Sequence, residues 1–269
     1  MRRAEPFVIY EVADRIATVR LNRPEVRNAL NRALLQELWD AVVRAGSDGD
    51  VDAVILTGAD PAFCAGIDLN ELSDEVPPSA SNRPSGEGPE RASNGLFRYL
   101  PEIDKPIIGA VNGTAATGGL EVALQCTFLV ASDRAHFVDT HARVGVMPGG
   151  GATVLLAQSI GLRRAIEMSL TGDFLDAAEA LELGLVNHVV PHDDLLPFTR
   201  HLVGTIVGND QNGVRRLLGH YRQIANAATL DEALLIEGYM SATWRIDASR
   251  FGSRRDQVVA RGSKQSNRT

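Results

Sequence analysis

Three stretches of the chain carry residues that could hold a developing negative charge or move a proton. In AFCAGIDL (Ala62–Leu69) a strand end gives way to a sharp turn at Gly66, with Asp68 behind it. Glycine lets a backbone come close to a ligand. The same pattern also suits a plain strand-to-helix turn with Asp68 as an N-cap. In AVNGTAATGGLEVALQC (Ala110–Cys126) an apolar run passes through a glycine-bearing loop into a helix that begins at Gly118 and Gly119. Unpaired N–H groups at such a start favour negative charge. Glu121, in the first turn, is a candidate base or simply a residue that suits the helix dipole. In FVDTHARVGVMPGGGAT (Phe137–Thr153), Asp139, His141 and Arg143 stand at alternate positions, on one side of the chain if it is extended. Histidine changes charge near neutral pH and suits general acid–base work. A solvated loop face, with His141 and Arg143 balancing Asp139, is the other reading.

The elements that must position these groups can be read from periodicity. Phe7–Val12 and Ile16–Leu21 flank a turn containing Asp14, as a hairpin requires. Asn28–Arg44 carries apolar residues at helical spacing, with Asn28 or Asn31 near its start and Gly46 at its end. Ala53–Thr57, Ile107–Val111 and Thr127–Ala131 are continuous apolar runs, the pattern of strands covered on both faces. Ala152–Ile160, Arg164–Leu170 and Asp176–Leu183 read as helices, and Leu185–Val190 as a strand. Residues 73–94 are rich in Pro, Ser, Gly and Glu and read as a flexible loop or insertion. From Leu195 onward the pattern is helical, roughly Leu195–Val207, Asn212–Ala227, Leu230–Ala242 and Phe251–Arg261. Strands alternating with helices, then helices alone, predict an α/β core over residues 1–195 and an α-helical region over 196–269.

Composition narrows the class. The chain has 269 residues, ample for a sizeable core, and its 44% hydrophobic content is ordinary for a globular protein. The formal net charge of -7 argues against a nucleic-acid surface. The two cysteines, Cys64 and Cys126, sit in apolar runs, as reduced buried thiols of a cytoplasmic protein would. No metal-ligand spacing, signal peptide or transmembrane run is seen, so neither a metal nor a membrane is expected.

Taken together, the order of these motifs resembles the crotonase, or enoyl-CoA hydratase/isomerase, family. AFCAGIDL and NGTAATGGLEVALQC are similar to its two oxyanion-hole motifs, VGVMPGGGAT to its proline–glycine turn, and TGDFLDAAEALELGLVNHVVP to a further block. The resemblance spans about Phe7 to Val190. It implies a repeated β-β-α spiral core, C-terminal helices that mediate a homotrimer or dimer of trimers, and an acyl-CoA thioester substrate. Coenzyme A is then part of the substrate, and no separate cofactor is implied. By position, the oxyanion hole would be the N–H groups of Ile67 and Gly118. The carbonyl of Ala65 would face the CoA adenine, with Gly66, Asp68 and Leu69 beside it. Arg27, in RPEVRNAL, would lie near the CoA phosphates.

One position departs from the family pattern. A family hydratase sets two glutamates around one water. Glu121 matches the first, whereas the second position is His141. Three readings are open. His141 takes over an acid–base role in an enoyl-CoA hydratase-like lyase. Alternatively, Glu121 alone shuttles a proton, as in an isomerase, with hydrolase and decarboxylase variants beside it. In the third reading the chain binds acyl-CoA without catalysis.

Overall fold

The computed structural model describes residues 5–68, 98–245, 251–252, 254–256 and 258–260. The 73–94 segment and Leu69 lie outside the described residues, whereas residues 251–252, 254–256 and 258–260 of the expected helix from Phe251 are helical. The chain divides into two compact units, residues 1–215 and 216–269.

The first unit opens with strands β1 (Val8–Ala13) and β2 (Ile16–Leu21), an antiparallel hairpin in which Ala13 pairs with Ile16. Its two turn residues, Asp14 and Arg15, both have positive φ, the backbone that a two-residue hairpin turn demands. Helix α1 (Arg32–Ser47) starts at Asn31, whose side chain accepts from the Leu34 N–H. Strands β3 (Ala53–Gly58) and β4 (Ala62–Cys64) come after it. Next are β5 (Ile107–Val111), β6 (Thr114–Ala116) and helix α2 (Gly118–Leu124). The pattern repeats with β7 (Phe128–Ser132), β8 (His136–Val138) and the one-turn helix α3 (His141–Val144).

In each repeat the first strand joins one sheet and the second strand joins another. Among the described residues the larger sheet has six strands in the order β1-β2-β3-β5-β7-β10, where β10 is His188–Val190, parallel from β2 onward. The smaller has four, β4-β6-β8-β9, where β9 is Leu175–Asp176. This is the spiral of β-β-α turns that the motifs imply.

A π-turn at Ala152–Leu156 leads into α4 (Ala157–Ile160), where the periodicity predicts one continuous helix. Helix α5 (Leu162–Thr171), strand β9 (Leu175–Asp176), helix α6 (Ala177–Glu182) and strand β10 (His188–Val190) complete the spiral. Asp176 and Glu179 form a reciprocal capping box at the start of α6.

Alternation along β3 explains its uniformly apolar sequence. Val54 and Leu56 pack with Leu34 and Leu38 of α1. Ala53 and Ile55 face the other way and pack with Leu195 and Val203 of α7 (Leu195–Val207). Both faces of the larger sheet are therefore covered, and α7 belongs to the packing of the first unit. Helix α8 (Gln211–Ile224) runs across the division between the units. In the second unit α9 (Leu230–Ala242) is capped by Thr229, and Arg216 donates to the Met240 carbonyl. Among the described residues no helix is long and apolar enough to cross a membrane.

Candidate active site

The site forms where three neighbouring parallel strands of the smaller sheet end. β4 pairs with β6, and β6 with β8 (Ala115 opposite Phe137, Ala116 opposite Val138). The segments that leave these strands are therefore held side by side: the Ala65–Asp68 turn, the start of α2, and the Asp139–His141 segment.

After β4 the chain makes a single parallel bridge with Leu30. Leu30 N–H donates to the Gly66 carbonyl at 2.7 Å, and Asp68 N–H donates to the Leu30 carbonyl at 3.0 Å. In such a ladder the intervening N–H points away from the partner. The Ile67 N–H is that group, and it has no protein acceptor among the described residues. Gly66 has φ +94°, and a Cβ there would sit 2.8 Å from the Ala116 carbonyl and 3.3 Å from Gly118 N. Only glycine meets both demands. A Cβ on Gly118 would lie 3.5 Å from Ile67 N, so the two N–H groups expected to work together are adjacent.

Asp68 is buried and pairs with Arg23 at 3.1 Å. Arg23 also donates to the Ala29 carbonyl, which ties the loop before α1 to this turn. The exposed Ala65 is held through its N–H on the Arg27 carbonyl at 2.9 Å, and Arg27 is itself exposed. Arg27, Ala65, Gly66 and Asp68 are thus brought together.

Glu121, 1% exposed, projects from the first turn of α2. Its Oε1 accepts from the N–H groups of Gly150 (2.8 Å) and Ala152 (3.1 Å), so the proline–glycine turn fixes the carboxylate. Its Oε2 is turned towards His141 Nε2, 3.9 Å away. One helical turn further on, Gln125 donates to the Gly150 carbonyl and accepts from the N–H groups of Tyr99 and Leu100. The Tyr99 ring covers Gly150 so closely that a Cβ there would lie 2.2 Å from its Cε2.

The segment after β8 is not extended as the alternate spacing suggested. The strand stops at Val138 and a helical turn opens at His141. That turn separates the three polar residues. Arg143 swings to the surface, to the Thr171 carbonyl and Asp173. Asp139 folds back onto His141, accepting from Nδ1 at 2.5 Å and from the backbone N–H at 3.1 Å. Its other oxygen accepts from Ser169 Oγ at 2.6 Å. Burial opposes ionisation of Asp139, but these donors prevail and hold its carboxyl below the usual range. The thiol of Cys64, beneath the first turn, is pushed up to about 12 by burial.

Gln125, Tyr99, Ser169 and Asn28 carry no sequence signal of their own as site residues. Asn28 is fully buried and its amide donates to the carbonyls of Ala59, Ala62 and Phe63, holding the base of the first turn. Only Gln125, on the same helix face as Glu121, was open to discovery by spacing.

Known proteins share this architecture. The chain matches the enoyl-CoA hydratase/isomerase family over residues 11–249. It is 35% identical to a probable peroxisomal enoyl-CoA hydratase of Arabidopsis thaliana, over 93% of this chain and 91% of the relative. Its fold is similar to the crystal structure of an enoyl-CoA hydratase from Mycobacterium smegmatis, with a TM-score of 0.72 and 45% identity over 88% of this chain and 94% of that one. It is also similar to a monofunctional enoyl-CoA isomerase from M. smegmatis, with a TM-score of 0.69 and 31% identity over 86% of this chain and 99% of that one. With its motifs, its spiral of paired sheets and a match that runs nearly its whole length, the chain belongs to the enoyl-CoA hydratase/isomerase family.

Proposed function

We propose that the chain is an enoyl-CoA hydratase-like lyase acting on acyl-CoA thioesters, with Glu121 and His141 as its acid–base pair. The observation that carries this reading is a carboxylate and an imidazole that face each other across 3.9 Å, the carboxylate borne on the first turn of the helix that Gly118 opens, with the Ile67 and Gly118 backbones adjacent. A single water set beside that gap can hydrogen-bond to both.

Hydration begins as Glu121 Oε2 takes a proton from water and the water oxygen bonds to the β-carbon. The electron pair of the double bond moves onto the thioester oxygen, giving an enolate. The N–H groups of Ile67 and Gly118 stabilise that oxyanion without reorganising, each worth roughly 10²–10³ in rate. The enolate then collapses and the α-carbon takes the Nε2 proton of a His141 imidazolium. The proton left on Glu121 passes to His141 and restores the pair.

In the same reading coenzyme A is held by the Arg27 and Ala65 side of the site. No separate cofactor takes part, because the enolate charge is met by N–H donors. The assembly is a homotrimer or dimer of trimers in the cytoplasm. Exposed Leu162, Leu170 and Phe174 are apolar surface of the kind that assembly covers.

A second reading is double-bond isomerisation by Glu121 alone. It is favoured by the single carboxylate and by the similarity to a monofunctional isomerase. A turnover panel separates the two. Conversion of crotonyl-CoA and longer 2-enoyl-CoAs to hydroxyacyl-CoA, by wild type and His141→Glu side by side, is the expected outcome. Turnover of 3-enoyl-CoA without any hydration would establish the isomerase instead.

A further inference from the structure

We infer that Asp139 and Ser169 are positioning residues for His141, forming with it and Glu121 a chain Ser169–Asp139–His141–Glu121, buried at its last three members, that dictates which imidazole nitrogen meets the substrate. The inference rests on the reading of His141 as a catalytic group.

Asp139 is fully buried and His141 is 6% exposed, so this is an internal arrangement and not a surface pairing. Both oxygens of Asp139 are engaged: Oδ1 by His141, through ring and backbone, and Oδ2 by Ser169. A carboxylate can only accept. The imidazole nitrogen 2.5 Å from it must therefore carry the hydrogen. In the neutral ring this leaves the lone pair on Nε2, the nitrogen turned to Glu121 Oε2. Ser169 comes from α5, a different element, and its 2.6 Å bond keeps the carboxylate from rotating. The charged groups that face His141 are Asp139 from its own segment and Glu121 from α2. A glutamate at this position would need no such support. A histidine has two distinguishable nitrogens, and the proton cycle of hydration works only if the variable proton is on Nε2.

The test needs a readout that a structural staple would leave unmoved. Nitrogen-15 NMR of histidine-labelled wild-type protein, with the signal assigned by loss in His141→Gln, reports the tautomer at a pH where the ring is neutral. The expected result is hydrogen on Nδ1. In Asp139→Asn the amide can donate to Nδ1, and the hydrogen should move to Nε2. For that variant we expect a kcat on crotonyl-CoA reduced by about 10²–10⁴ with KM nearly unchanged. Ser169→Ala should lose up to roughly tenfold, and Ser169→Thr, which keeps the hydroxyl, should recover it. Wild-type His141 with hydrogen on Nε2 overturns the inference without any variant. So does folded Asp139→Asn with kcat within about threefold of wild type. If His141→Gln itself turns over fully, the acid–base reading has failed. If His141→Gln is inactive and Asp139→Asn is not, only the positioning role has failed.

Discussion

Replacing Glu121 by glutamine separates chemistry from structure at the centre of the site. Oε1 accepts two backbone N–H groups, from Gly150 and Ala152, in a fully enclosed position. Alanine would leave both donors unpaired at about 1–3 kcal/mol each, and lost activity would then be confounded with a disturbed turn. Glutamine keeps a carbonyl oxygen in the same place. Exchanging two charge-assisted bonds for two neutral ones costs about 1 kcal/mol each. For a chain of this size that lowers Tm by about 4–8 °C. The rate should respond quite differently. Removing a general base costs about 10²–10⁴, or about 3–5 kcal/mol in the barrier. The assay is hydration of crotonyl-CoA, monitored as loss of the absorbance of the conjugated enoyl thioester, beside thermal unfolding of the same sample. A folded Glu121→Gln whose rate stays within about threefold of wild type would remove Glu121 from the chemistry.

Three further outcomes are expected. Gly66→Ala strains a residue at φ +94° and drives a methyl against the Ala116 carbonyl. It should move the Ile67 N–H and lower kcat/KM by about 10²–10³, whereas Gly49→Ala, where nothing lies within 4 Å, should leave kinetics unchanged. Asp139, whose carboxyl is held below its usual range by His141 and Ser169 although burial opposes this, contributes stability above the unfolded value near ~3.9. That contribution is lost as pH falls through the lower folded value, so urea unfolding between pH ~5 and ~2.5 should be less pH-dependent in Asp139→Asn. Finally, Cys64 is buried with its thiol pushed up to about 12, so alkylation at pH ~8 should spare it until the protein unfolds. Labelling of Cys64 in the native protein would show that the first turn opens.

What could be read from the sequence is what local patterning controls. Ile107–Val111, Leu195–Val207 and Leu230–Ala242 have the boundaries that periodicity predicts, because long apolar runs and stripes leave little choice of register. The strands of the smaller sheet, only two or three residues each, give no periodic signal. They exist because the larger sheet delivers the chain to them. The motif glycines pointed to the turn at Gly66 and the start of α2. The bond between Asp139 and His141 was not legible, since it depends on the chain changing from strand to helix between those two residues. Ser169 and Asn28 reach their partners across 30 and 31–35 residues of sequence, a distance over which no local pattern extends.

The one-residue bridge between Leu30 and Ile67 is an interruption. A β-sheet normally consumes its own donors, and each further strand consumes more. Here pairing halts after a single register position, and the neighbouring chain on the open side begins a helix. One N–H is left over on each side of that gap. Both donors belong to the backbone, so no substitution other than proline deletes either of them. On the proposed reading, the acid–base groups nearby can change, as with the histidine at position 141, while the two donors proposed to receive the substrate's negative charge stay in place. Their vulnerability lies elsewhere: one added residue of strand pairing would silence the pair.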